Sequence, residues 1–268
     1  KVKKNKKTKR NKVIKTIINI LQRSVRPVII AGGGIRNSQS VDKFNNIIKK
    51  LNIPVVTTWS GMDVIDNNNP LYFGNIGVYG SRAANFCVQN ADYILSLGSR
   101  LDTRITGGNP KTFARNAKLI MVDIDKGELD KKRGLNPYLK INADCSNFID
   151  NLNKNISLCG PLNLNSWFNY NKNLKYKYPT VCKNFSSNNN FINPYLFVEE
   201  LAHQLNRKDI IIPDDGGHLT WFMQAFKVKL GQRVFSAYGN SPMGYSFPAA
   251  IGASLASKKK RVVCIDGD

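Results

Sequence analysis

Histidine is scarce in this 268-residue chain, which has only His203 and His218. Cysteine is scarce too: Cys87, Cys145, Cys159, Cys182 and Cys264 are odd in number, with no pair at metal-ligand spacing. That excludes a zinc framework and argues against a disulfide scaffold, so reduced thiols are expected. Cys264 lies inside the apolar run VVCI, where a thiol acts as a small buried hydrophobe. No apolar run reaches the roughly 18 residues of a membrane-spanning helix, and no apolar signal segment follows Lys1. Neither a membrane partner nor secretion is expected. Acidic residues are few, 18 against 40 basic ones, for a formal charge of +22.

Such an excess favours polyanions, but its distribution argues otherwise. Eight basic residues crowd into residues 1–12, KVKKNKKTKRNK. Others are scattered as Lys49-Lys50, Lys131-Lys132-Arg133 and Lys258-Lys259-Lys260, with no aromatic residues interleaved as in RNA-binding motifs. Residues 1–12 therefore read as a basic, solvated linker, and no nucleic-acid partner is expected. With 42% hydrophobic residues the remainder is globular, in one or two domains.

Strands alternate with helices along the chain. Residues 13–24 have helical apolar spacing. VIIA at 28–31 is a strand closed by Gly32-Gly33-Gly34, and Ser38 or Ser40 caps a helix carrying Val41, Phe44, Ile47, Ile48 and Leu51. Residues 54–58, 93–97 and 119–124 are further strands, and Ser81 caps a helix through Val88. Residues 151–190, rich in Asn, Lys, Tyr and Ser, read as a linker with a helix near Trp167 to Tyr176. A helix from Asn193 or Pro194, a strand at 210–212, helices near 221–226 and 248–256 and the strand VVCI follow. The expected fold class is α/β: a doubly wound parallel-sheet central domain at 13–150, then the first part of a second α/β domain at 191–268. Lys1 is not an initiator Met, and Asp266-Gly267-Asp268 follows a strand that needs crossover partners, which predicts an internal piece of a longer chain.

In parallel sheets ligands sit at the carboxyl ends of strands. Gly32-Gly33-Gly34 occupies such an end, although the full G-x-G-x-x-G pattern is absent. Gly77 to Asn85, with Gly80 and Ser81 opening an alanine-rich helix, offers close backbone approach. Gly98-Ser99-Arg100 and Arg104 offer guanidinium groups to a diphosphate. Asp123 and Asp125 offer carboxylates to ribose hydroxyls. Together these ends favour an extended nucleotide over isolated turns and caps. In the second region, Asp214 to His218, Gly239 to Tyr245 and Asp266-Gly267-Asp268 are glycine-containing turns at strand ends or before helices. A carboxylate in the last suits Mg2+; an acidic turn is the plain alternative.

The order of these motifs resembles the thiamine-diphosphate enzymes related to the acetolactate synthase large subunit. Arg26-Pro27-Val28 to Gly34, Phe73-Gly74 to Asn85, Gly98 to Gly107 and Met121 to Asp125 carry the resemblance. So do Gly216-Gly217-His218, Met243-Gly244-Tyr245 with Pro248 to Gly252, and Val262 to Asp268. It implies a central domain followed by part of a diphosphate-binding domain. Gly217, His218, Ser241, Met243, Gly267 and Asp268 are then thiamine-diphosphate residues, with Asp268 the Mg2+ ligand. In such synthases the central domain binds a structural FAD, which implies roles for Gly33, Gly77, Gly80, Ser81, Gly98, Arg100, Asp123, Ile124 and Asp144. The activating glutamate is expected upstream, so no catalytic residue is assigned within the chain.

The implied activity is decarboxylation of pyruvate and condensation with a second 2-oxo acid, a transferase step of branched-chain amino-acid biosynthesis. The piece alone is expected to be inactive. A homodimer or homotetramer, a regulatory subunit and a cytoplasmic or plastid location are further implications. The chain departs from the family pattern at Leu101-Asp102-Thr103-Arg104, at Tyr79 (usually His) and at Gly217 (usually Gln). The rival readings are another thiamine-diphosphate decarboxylase or carboligase and a non-catalytic nucleotide-binding module.

Overall fold

The computed structural model describes residues 2–186, 190–258 and 260–267. Helix α1 (Val2–Gln22) leads into strand β1 (Pro27–Ala31), helices α2 (Gly34–Asn37) and α3 (Val41–Leu51) and strand β2 (Val55–Thr57). A 3-10 turn over Trp59–Val64 precedes β3 (Tyr72–Asn75), α4 (Arg82–Gln89), β4 (Tyr93–Leu97) and α5 (Thr103–Thr106). Then come β5 (Lys118–Asp123), α6 (Lys126–Asp130), β6 (Leu139–Asn142), α7 (Cys145–Lys154) and α8 (Asn165–Lys177). The strands form one sheet in the order β3-β2-β1-β4-β5-β6, parallel throughout. The order reverses between β1 and β4, and that switch point is where such sheets hold ligands.

Burial on both faces explains why these segments are strands. Every residue of β1 and β4 is buried. In α3, Phe44, Ile47, Ile48 and Leu51 form one buried stripe, and Asn52 ends the helix in the left-handed region. At the switch point the backbones nearly touch. Gly32 N–H donates to Leu97 O at 2.9 Å, and a Cβ on Gly32 would lie 2.2 Å from Gly98 O. Only a residue without a side chain fits there.

The second body contains α9 (Pro194–Gln204), β7 (Ile210–Pro213), α10 (Gly217–Ala225), β8 (Arg233–Val234), α11 (Ser246–Ala256) and β9 (Val262–Ile265). Its sheet order is β8-β7-β9, again parallel. Its core gathers Val198, Ala202, Leu205, Ile211, Leu219, Phe222, Met223 and Phe226, and also Met62 from the first body.

Two linker readings differ from the structure. The basic stretch is helical: residues 2–12 continue α1, because lysine favours helix and the helix is anchored by buried Ile14, Ile17, Ile18 and Leu21. The 151–190 stretch is not a free connection. Helix α7 runs to Lys154, and α8 packs on the first core, with buried Trp167 donating Nε1–H to Pro27 O at 3.0 Å. Asn188 and Asn189 lie outside the described residues.

The bodies are bolted together at Asp63, whose side chain is fully buried. It accepts from Arg36 Nε at 3.3 Å, from Arg233 Nη1 at 2.7 Å and from Val234 N–H at 3.0 Å.

Candidate cofactor clefts

A cavity of about 780 Å³ opens at the carboxyl ends of β1, β4 and β5 and is roofed by residues 236–240 and 242 of the second body. Of the nucleotide residues expected from the sequence, Gly33, Gly98, Arg100, Asp123, Ile124 and Asp144 line it. Gly77, Gly80 and Ser81 do not. They build the turn between β3 and α4. Gly77 has φ +121° and its Cβ would lie 2.6 Å from Arg104 O, a Cβ on Gly80 would lie 2.6 Å from Ile76 C, and Ser81 Oγ caps α4 by accepting from Ala84 N–H at 3.3 Å.

The floor is strained and charged. Arg100 and Leu101 follow Gly98 with φ of +62° and +49°, in the left-handed region that non-glycine residues rarely enter. Fully buried Leu101 anchors this turn. Glu128 lies 3.6 Å from Arg100 and 2.6 Å from Arg133, and it also pairs with Lys131. Burial pushes its carboxyl up, but these three cations outweigh burial and hold it below its ordinary range. Asp123 Oδ1 accepts from Asp125 N–H at 3.0 Å, while Asp125 Oδ1 and Asp144 Oδ1 cap α6 and α7. Cys145 lines the wall, and burial together with Asp144 and Asp123 raises its thiol to about 12, so it stays protonated.

The sequence singled out Tyr79, Arg104 and the loop from Gly239, but not Trp59 or Tyr238, which complete the roof. Trp59 stacks on Tyr79 at 5.8 Å and meets Tyr238 at 6.2 Å. Arg104 Nη1–H donates across the cleft to Tyr238 O at 2.8 Å. Tyr238 Oη is buried without a partner among the described residues, and burial pushes its phenol up, keeping it a neutral donor. Stacking rings, guanidinium groups, carboxylates and an orphaned hydroxyl fit a dinucleotide.

The second site forms where β7 and β9 end side by side, Pro213 opposite Ile265. Helix α10 starts at Gly217 behind Gly216, and no side chain caps it, which leaves its first N–H groups to an anion. His218 stands in this first turn. Its ring rests against Gly216 and Gly267, whose Cβ atoms would lie 2.8 and 3.5 Å from it, and its Nε2 is buried without a partner among the described residues. Ser241 has φ +50° and an equally orphaned, buried Oγ. Met243 is 77% exposed. Buried Asp214 accepts from Gly244 N–H at 2.5 Å and Ser246 N–H at 2.9 Å. Burial pushes this carboxyl up, yet those N–H groups, a hydrogen bond with the Asp266 side chain and the Asp215 N–H hold it below its ordinary range. Ser246 Oγ–H donates to Asp266 Oδ2 at 3.1 Å.

The structure thus brings Gly217, His218 and Gly267 together, with the loop of Ser241 and Met243 tied to the same strand end through Asp214. The buried, unpartnered His218 Nε2 and the uncapped glycine-led helix start fit a diphosphate. Asp268 lies outside the described residues, and no cluster of three or more metal-ligating side chains occurs among the described ones.

Comparison with known proteins places both bodies in one family. Residues 14–152 match the family model described as thiamine pyrophosphate enzyme, central domain. Residues 214–268 match the C-terminal TPP binding domain of the same enzymes. A probable acetolactate synthase large subunit of Methanococcus aeolicus is 33% identical over 95% of this chain and 44% of its own length. The acetolactate synthase large subunit of Lactococcus lactis subsp. lactis is 35% identical, over 95% and 43%. A chloroplastic acetolactate synthase of Arabidopsis thaliana is 31% identical, over 95% and 37%. The chain spans less than half the length of these relatives. With its central-domain match covering more than half of the residues, the chain belongs to the thiamine pyrophosphate enzyme family.

Proposed function

We propose that this chain serves a thiamine-diphosphate- and Mg2+-dependent transferase of the acetolactate synthase kind, one that decarboxylates pyruvate and joins the product to a second 2-oxo acid. The observation that carries this reading is the convergence at the ends of β7 and β9. There, buried His218 Nε2 lacks a partner among the described residues in the first turn of an uncapped helix, and Asp214 ties to the same strand end the loop in which Ser241 Oγ is likewise buried and unpartnered. The names of the relatives support the choice of reaction.

When bound, thiamine diphosphate supplies an electron sink for the carbon that loses CO2. The chain's own residues bind and orient. Gly217 and His218 would hold the diphosphate at the first N–H groups of α10. Gly267 and Asp268 continue from β9, and Asp268 is the proposed Mg2+ ligand, a role that suits one carboxylate beside phosphate oxygens. Ser241 and Met243 would hold the organic part of the cofactor, the exposed thioether of Met243 serving as an apolar prop. In the central cleft Gly33, Gly98, Arg100, Asp123, Ile124 and Asp144 would hold FAD as a structural group. Gly77, Gly80 and Ser81 support that cleft from behind, through Arg104 and α4. The domain division proposed is 13–150 central and 191–268 diphosphate-binding, with α8 docked on the former. We further propose a homo-oligomer and a regulatory subunit, with cytoplasm or plastid as compartment; the plant relatives are named chloroplastic.

Calorimetry on the intact protein tests this. Thiamine diphosphate is expected to bind only with Mg2+ present, and His218→Ala is expected to weaken binding at least tenfold, about 1.4 kcal/mol. Metal-independent binding, or wild-type affinity in the variant, refutes it.

A further inference from the structure

We infer that Asp214 is the positioning residue of the second site. Its carboxylate sets the pose of the loop that carries Met243 relative to the strand ends that carry His218 and Gly267. The inference rests on the thiamine reading for its consequence, not for its geometry.

Asp214 is the first residue after β7 and is only 1% exposed. Its own N–H donates to Ile265 O at 2.7 Å, so the backbone is locked to β9. Both carboxylate oxygens then point at one loop: Oδ2 accepts from Gly244 N–H and Oδ1 from Ser246 N–H. No Lys or Arg pairs with Asp214 among the described residues. A buried carboxylate held by two backbone N–H groups of one loop, with the Asp266 side chain as a further partner, fixes direction and register, whereas a flexible cation would fix neither.

The loop needs such an anchor. Gly244 turns it with φ +82°, and Ser241 with +50°. Met243 lies between them, 77% exposed, so side-chain packing does not hold it. Its place follows from the backbone bonds one and three residues later. Fully buried Ser246 extends the anchor, its Oγ–H reaching Asp266 on the neighbouring strand end. One carboxylate therefore links the segments of His218, Met243 and Gly267.

The test uses the intact protein with Asp214→Asn and Asp214→Glu. The first readout is hydrogen exchange at the Gly244 and Ser246 amides without cofactor. The second is calorimetric affinity for thiamine diphosphate with Mg2+, set against affinity for FAD. Asp214→Asn turns an N–H toward one loop donor and is expected to speed exchange at both amides at least tenfold. It is also expected to weaken thiamine diphosphate at least tenfold and leave FAD affinity within twofold. Asp214→Glu keeps two acceptors and is expected to fall between, and it decides alone should Asp214→Asn not fold. Wild-type exchange at both amides overturns the inference, as does faster exchange with unchanged thiamine diphosphate affinity. Should the wild-type protein itself not bind thiamine diphosphate, the functional reading fails while the exchange readout still judges the anchor.

Discussion

Asp63→Asn is the sharpest perturbation of the joint between the two bodies. The wild-type carboxylate is fully buried and takes three donors: Arg36 Nε, Arg233 Nη1 and Val234 N–H. Two belong to the second body. The amide keeps the shape, so no cavity forms, but it loses the charge and turns an N–H toward one donor. Hydrogen bonds to charged groups contribute roughly 1.5–3 kcal/mol each. Both arginines stay partly exposed, 26% and 37%, and regain water. That holds the loss below the roughly 5 kcal/mol seen for fully buried broken pairs, and about 3 kcal/mol is expected. Urea unfolding at pH 7 measures it. A cycle with Arg233→Met isolates the pair, with an expected coupling of about 1–3 kcal/mol. A loss under about 0.5 kcal/mol, the scatter of ordinary surface changes, would refute the reasoning. So would additive single and double variants.

Gly32→Ala drives a Cβ to 2.2 Å from Gly98 O, with backbone on both sides, and is expected to destabilise by at least the roughly 1–3 kcal/mol of overpacking. Gly108→Ala meets nothing within 4 Å and leaves the thermal midpoint unchanged or raised; equal midpoints for the two variants would remove the crossing argument. Asp209 pairs with Arg261 and accepts from Asn206 N–H at 2.6 Å; burial pushes its carboxyl up, and these partners outweigh it and depress it below 3.8. A depressed carboxyl contributes stability that is complete above its unfolded value and is lost as pH falls through the folded one. Asp209→Asn is therefore expected to be less stable than wild type at pH 7, with the gap closing below pH 3.8 in urea midpoints.

Strands that were legible in the sequence are those written as an apolar run, whether buried throughout like β1 and β4 or half-buried like β9. β1, β4, β5, β7 and β9 read as PVIIA, YILSL, KLIMVD, IIIP and VVCI. The unread strands β3, β6 and β8 are all sheet edges, with sequences YFGN, LKIN and RV. β9 is an edge too but is written VVCI; the unread three are two to four residues long with no such apolar run, so no strand pattern shows even where, as in β3, the residues are largely buried. Gly77, Gly80 and Ser81 were readable as special but not as to purpose. A tight turn and a phosphate cradle demand the same small residues, and only the 2.6 Å approaches to Arg104 O and Ile76 C show that packing claims the two glycines. Asp63 gave no signal at all, because its partner Arg233 lies 170 residues away.

The loop over residues 235–246 shows most clearly where local reasoning stops. It holds no helix or strand before α11, and positive φ at Ser241 and Gly244 denies it a regular path. Its conformation is instead imported. Phe235 N–H donates to Ile211 O at 3.2 Å, Arg104 holds Tyr238 O from the first body, and Asp214 holds Gly244 and Ser246 from the second. Its first half roofs the central cleft; its second half carries Met243. Each anchor is far from the loop in sequence and individually ordinary. A hydrogen-bonded carboxylate, a guanidinium on a carbonyl and a strand-end amide become a site only when two parallel sheets bring their carboxyl ends to one wall. The motif residues could be read from the chain because backbone chemistry restricts them. Arg104 and Asp214, which aim them, stood out as charged residues at strand ends, but what they hold could not be read, because any such acceptor or donor reads the same until the fold places it.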